Sequence, residues 1–174
     1  MEDSGSILIP FYLGERANRH GDMIDDVLAW DNNHLENVHN YIQWLFPLSE
    51  RSLFNGWAPI LKDDQIKEFR NDPRLQAKLR KSFLTLLSFY GFSVEEKSGQ
   101  LNIFCSDLFQ KRIENWLTFG NHNFLRITRI LKCLMLLGLK NEARAFEKAL
   151  EEVYSENQTV VGAETLRYWQ EAVK

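Results

Sequence analysis

Cysteine is scarce in this chain. Cys105 and Cys133 form no CxxC pair and have no histidine at zinc-finger spacing, which excludes a zinc-finger fold. Both stand in apolar contexts, so we expect reduced, buried core thiols, with a disulfide as the alternative. Reduced thiols go with a cytoplasmic setting. Long apolar runs are also missing. The longest helical one, from Phe124 to Leu139, is interrupted by Arg126, Arg129 and Lys132. Nothing reaches the roughly 20 residues a bilayer requires, so no transmembrane segment is expected. The stretch from Ser4 to Leu13 is short, contains Pro10 and has no basic flank, unlike a signal peptide. The net charge of −3 with 26% charged residues excludes disorder and a uniformly basic nucleic-acid binder. There is no GxSxG, no Walker loop and no HExxH. The neighbouring acids Asp25-Asp26 and Glu95-Glu96 diverge on any helix or strand. No cofactor is expected. Repeats, low-complexity tracts and linkers are absent too.

Large apolar side chains are abundant. Hydrophobic residues make up 44% of 174, including 12 Phe and 5 Trp. A chain this long buries roughly 70% of its unfolded surface, so residues 1–174 are expected to form a single domain. Helical periodicity dominates. Asp22 is placed to cap a helix with Met23, Ile24, Val27, Leu28 and Trp30 on its face. Asn32 or Asn33 would start a second helix, with Leu35, Val38, Ile42, Leu45 and Phe46 on one side, stopped by Pro47. Residues 47–62 form a connection whose Phe54, Trp57, Pro59 and Ile60 should lie down on the domain. Asp63 or Asp64 opens a short helix. Pro73 sits at the first position of the next, which Gly91 ends. The stretch 92–103, with Ser98-Gly99 at its centre, reads as a small hairpin or a loop. Ser106 caps a helix to about Trp116, and Asn121 or Asn123 starts the strongest one, ending at Gly138. Asn141 opens another, and Thr159 or Gly162 the last, which carries Trp169. The expectation is an all-α domain of about seven or eight helices.

Four groups of residues carry possible chemistry. Glu36, His39 and Gln43 fall within about 60° on one helix face. A Glu-x-x-His pair binds metal in di-iron bundles, but those need a second such pair, which this chain lacks. The alternative is a boundary histidine that fixes helix packing through a hydrogen bond. His122, Arg126, Arg129 and Lys132 form a polar stripe over about 120° of a helix. With Asn121 and Asn123 they crowd a helix start, where free N–H groups attract anions; solvated or paired charges are the plain alternative. Arg74, Lys78 and Lys81 form a third stripe, of the kind nucleic acid or an acidic partner uses. Trp44 points about 180° from Leu35, so either both sides of its helix are covered or it lines a groove.

Several of these blocks fall into a known order. Phe11-Tyr12 with Gly14, then Ile24 to Trp30, Leu35-Glu36 and His39, resemble the opening of the opioid growth factor receptor conserved region. Tyr41-Ile-Gln-Trp-Leu-Phe-Pro47 is similar to its most recognisable run. Phe89-Tyr90-Gly91, Asn121-His-Asn, Leu125 to Lys132 and Leu137-Gly-Leu139 resemble its later blocks. The resemblance spans nearly the whole chain and implies an all-α domain. In vertebrates the family is associated with binding a small opioid peptide and restraining proliferation at the nucleus. No long extension with repeats and basic signals follows here, so a compact stand-alone version of bacterial type is expected, without opioid function.

These readings converge on a non-enzymatic interaction domain. It would bind a peptide or small anionic ligand, or a protein partner, through His39, Gln43, Trp44, His122, Asn123, Arg126 and Arg129. Two alternatives stand beside it. One is a metal-assisted enzyme using Glu36, His39 and His122. The other, a nucleic-acid accessory protein using the basic stripes, is disfavoured by the net charge.

Overall fold

The computed structural model describes residues 4–52 and 55–174. Its described residues are mostly α-helical, with one two-stranded hairpin. The chain divides into two units, residues 1–85 with 136–138, and residues 86–135 with 139–174.

The first unit opens with a 3-10 turn, Ser4–Ile7, running into α1, Leu8–Tyr12. Four short helices follow: α2 Ile24–Leu28, α3 Asn32–Asn37, α4 Ile42–Leu45 and α5 Asp63–Asn71. Most of α6, Pro73–Tyr90, also belongs here, with proline at the first helical position as expected. The core is aromatic. Tyr12 meets Phe69 edge-on at 4.7 Å, and Phe11 meets Trp44 at 5.4 Å. The Tyr12 hydroxyl donates to the Leu45 carbonyl.

The expected continuous helix from 33 to 46 is broken. Asp31, not Asn32 or Asn33, caps α3, its Oδ1 accepting the His34 N–H at 2.8 Å. Val38 then turns to extended geometry, φ −92° and ψ 130°. Side chains take over the freed carbonyls: the Tyr41 hydroxyl donates to the Leu35 carbonyl at 3.0 Å, and the Gln43 amide nitrogen to His39 and Asn40 carbonyls at 3.3 and 3.1 Å. Every residue from 41 to 48 is buried, so apolar side chains on all sides find cover without helical phase. Two caps differ as well. Asp22 precedes α2 without capping it, because its carboxylate takes the Asn18 amide at 3.2 Å. In the connection after Pro47, Pro59 is buried and Ile60 half-buried, but Trp57 is 61% exposed under the Arg19 guanidinium at 5.5 Å. Phe54 lies outside the described residues.

The second unit is built around the end of α6. Gly91 stops that helix at φ +91°. The hairpin β1 Phe92–Lys97 and β2 Gln100–Cys105 pairs Phe92 with Cys105 and Lys97 with Gln100. Its turn, Ser98 and Gly99, has positive φ at both residues, the geometry that matches strand twist. Helices α7 Phe109–Trp116, α8 Asn123–Leu137 and α9 Lys140–Glu156 follow. The expected last helix is split by Gly162 into α10 Gln158–Val161 and α11 Ala163–Ala172. These splits, with α1, raise the count to eleven α-helices among the described residues.

The last carbonyls of α6 lack intrahelical partners, and side chains supply them. Arg112 Nε donates to Phe89 O at 2.8 Å, Trp116 Nε1 to Tyr90 O at 3.0 Å and Ser106 Oγ to Gly91 O at 2.7 Å. A guanidinium suits the negative end of a helix. Around them pack Tyr90 against Trp116 at 5.4 Å and Phe92 against Phe146 at 5.6 Å, while Trp169 sits edge-on to Phe124 at 5.9 Å. Cys133 is buried, as expected of a core thiol. Cys105 is exposed instead, because it ends a strand whose side chains are mostly outside. Both cysteines are free. No helix among the described residues is long and apolar enough to cross a membrane.

Candidate functional site

The polar residues of greatest interest gather at the start of α8. Asn123 is fully buried. Its Oδ1 accepts from the Tyr90 hydroxyl at 3.3 Å and from Arg126 Nη1 at 3.4 Å. Its amide nitrogen donates to Asn121 Oδ1 at 3.0 Å and lies 3.5 Å from His122 Nε2. Arg126 is only 5% exposed, while His122 and Lys132 are exposed and Arg129 is half-buried. The stripe read as one polar face therefore runs from interior to solvent.

The helix start offers less to an anion than its asparagines suggested. Asn121 Oδ1 accepts the Asn123 N–H at 2.9 Å, and the Asn121 carbonyl accepts the Phe124 N–H at 3.1 Å. The His122 carbonyl takes the N–H groups of Leu125 and Arg126 at 3.2 and 3.3 Å. With those donors committed, anion binding here would fall to side chains, Arg126 first.

The other three expected residues belong to the first unit. His39 is exposed in the break between α3 and α4. Gln43 is 7% exposed, with its amide turned onto the local backbone. Trp44 is fully buried, as in a segment covered on both sides. Its indole nitrogen and Asn40 Oδ1 are buried atoms without a hydrogen-bond partner among the described residues. The helix break also undoes the geometry behind a Glu36–His39 metal pair, since the i,i+3 stacking needs an unbroken turn. No group of three or more His, Cys, Asp or Glu among the described residues is arranged to hold a metal ion.

The basic stripe on α6 is matched by acids. Lys78 and Lys81 reach Asp25 Oδ1 at 2.8 and 3.3 Å, and Arg74 reaches Asp72 at 2.7 Å. Lys78, with Lys81 beside it, holds the Asp25 carboxyl below its ordinary range, and Arg74 does the same to Asp72. This pairing removes much of the positive field that a phosphate backbone would need.

Tyr90 and Arg112 escaped the sequence reading. Tyr90 entered as the middle of the Phe89-Tyr90-Gly91 block, without a polar role, and Arg112 was not singled out. The adjacency of Tyr90 to Asn123 is purely tertiary, so periodicity carried no trace of it.

The sequence profile of the opioid growth factor receptor (OGFr) conserved region matches residues 2–174. The chain belongs to this family. The human opioid growth factor receptor is 39% identical over 137 residues, covering 76% of this chain and 20% of that protein. The opioid growth factor receptor-like protein 1 of Xenopus tropicalis is 38% identical over 121 residues, 68% of this chain and 23% of that protein. The rat receptor is 38% identical over 137 residues, 76% of this chain and 23% of that protein. The chain thus spans about a fifth to a quarter of the length of these OGFr relatives. No solved structure matches it.

Proposed function

We propose that this chain is a non-enzymatic binding module that takes a peptide or a small anionic ligand. The observation that supports it most is the family match over residues 2–174, with relatives named as receptors. The geometry adds a charged side chain drawn inward. A guanidinium 5% exposed, in a cluster with Asn123 and Tyr90, is the natural complement of a carboxylate or phosphate. In this reading Arg126 neutralises the ligand's charge and Arg129 adds to it. Asn123 fixes the Arg126 head, and His122 stands at the exposed rim. His39 is proposed as a peptide contact in its own right, with Gln43 and Trp44 buried behind it as the residues that hold that segment in place. The human relative is named for an opioid growth factor, which makes a short peptide the first class to test. Two free cysteines fit a reducing compartment such as the cytoplasm.

Native mass spectrometry of the chain purified without added ligand tests the proposal. We expect a mass excess that vanishes on denaturation and is lost in Arg126→Gln, with helicity by circular dichroism kept as the control. A bare wild-type mass, or an excess unchanged in a folded Arg126→Gln, would remove the anionic-ligand reading.

A further inference from the structure

Asparagine followed directly by glycine occurs once in the sequence, at Asn55-Gly56. The pair stands in the connection after Pro47, in a turn closed by the Ala58 N–H on the Asn55 carbonyl at 3.2 Å. Asparagine suits the first position of such a turn, because its side chain can also bond the backbone two residues on. It does so here, Asn55 Oδ1 accepting the Trp57 N–H at 3.0 Å. The carboxamide is thereby folded forward along its own chain, toward Gly56. Asn55 is half-buried and Gly56 exposed, and a Cβ on Gly56 would meet nothing within 4 Å.

We propose that Asn55-Gly56 is a site of spontaneous deamidation. The Gly56 backbone nitrogen gives its proton to water and attacks Asn55 Cγ. A new C–N bond closes a cyclic imide, and the Asn55 side-chain nitrogen leaves as ammonia. Water then adds to one of the two imide carbonyls. Breaking the new C–N bond leaves aspartate at position 55, and breaking the original peptide bond leaves isoaspartate. One water is consumed and one ammonia released, with no change of oxidation state. Three features favour the attack. Glycine puts no side chain beside the attacking nitrogen. The turn holds the carboxamide on the side of that nitrogen, which lowers the cost of bringing the two together. The Trp57 N–H already sits on the oxygen that gains negative charge as the tetrahedral centre forms, an arrangement that stabilises an oxyanion.

Either product places a carboxylate beside Trp57, whose ring lies under the Arg19 guanidinium at 5.5 Å. Isoaspartate also adds a methylene to the backbone of the turn that leads into buried Ala58 and Pro59. The loop therefore changes charge and course with the age of the molecule. The inference is independent of the ligand reading, since none of the residues proposed there lies in this turn.

Incubation of the full chain in mildly alkaline buffer at physiological temperature, followed by intact mass and peptide mapping, tests it. We expect a mass gain equal to the difference between water and ammonia, and a more acidic species on anion exchange. Aspartate and isoaspartate should appear at position 55 before any other asparagine converts. Gly56→Ala should slow the conversion about tenfold, because its methyl group crowds the attacking nitrogen, and Asn55→Gln should abolish it at this position. Circular dichroism checks that both variants fold, and mapping of the wild-type chain needs neither. No conversion at Asn55, earlier conversion at another asparagine, an unchanged rate in folded Gly56→Ala, or conversion only after denaturant has unfolded the chain would each overturn the inference.

Discussion

Glu147 and Glu151 lie one turn apart on α9, where the Gln170 amide of α11 donates to Glu151 Oε1 at 2.6 Å. Burial, then the Glu151 charge and a hydrogen bond between the two carboxyls, push the Glu147 pKa up to about 7. A carboxyl pair so close holds one proton between its members more readily than two negative charges. The folded state therefore binds a proton here that the unfolded chain releases near its ordinary value of about 4.3. The stability from that proton is fully present below the unfolded value and is lost as pH rises through about 7. Glu147→Gln keeps a donor for Glu151 without the ionisation. Its melting temperature should decline less than that of wild type between about pH 5 and 8. Parallel profiles for the two proteins over that range would show that Glu147 does not hold the proton. The same residue-level logic explains Cys133, whose thiol burial pushes well above the ordinary range, and which should resist thiol reagents that reach Cys105.

At the scale of elements, the joint between α6 and β1 is the most constrained place in the second unit. Gly91 adopts φ +91°, and a Cβ there would meet the Phe109 Cα at 2.8 Å and the Arg112 Cβ at 2.9 Å. One of those neighbours is backbone, so it cannot swing aside. Gly91→Ala combines left-handed strain with overpacking, together roughly 3 kcal/mol. For a chain of this size that lowers the melting temperature by roughly 6–12 °C; a loss under about 2 °C would mean that α7 shifts freely. Gly91 was legible in the sequence as a helix stop, because glycine after a periodic apolar face is a strong signal. The long helices α6, α8 and α9 and the Ser98-Gly99 turn were legible for similar local reasons. The break at Val38–Tyr41 was not. Its residues keep helical spacing, and only the folded backbone, extended at Val38 and held by the side-chain hydrogen bonds of Tyr41 and Gln43, shows that the chain has left the helix. The candidate site divides in the same way. Its polar residues stood out against apolar motifs, but the burial of Arg126 and its link to Tyr90 through Asn123 come from tertiary packing alone.

At the scale of the whole molecule, the path of the chain bears on cooperativity. Two helices are shared between the units: α6 passes from the first to the second after Thr85, and α8 begins in the second and ends in the first. The end of α8 is tied into the first unit by Arg70 Nε on the Leu136 carbonyl at 2.9 Å and Gln76 Nε2 on the Leu137 carbonyl at 2.7 Å. Unfolding either unit alone would cut the backbone ladder of both helices and leave their carbonyls to find water. Helix propagation is cooperative, so such a cut exposes whole turns and not single bonds. The expected outcome is that residues 1–174 melt as one domain, with a calorimetric enthalpy of roughly 120 kcal/mol near 60 °C. Equality of the van't Hoff and calorimetric enthalpies is the deciding measurement. If the units melted independently, the van't Hoff value would fall to about half the calorimetric one, since each unit holds about half the chain. That result would also make Gly91→Ala, in the second unit, lower only one of two transitions. A single transition lowered as a whole by Gly91→Ala would instead show that damage at the α6–β1 joint is felt by residues as distant in sequence as α1.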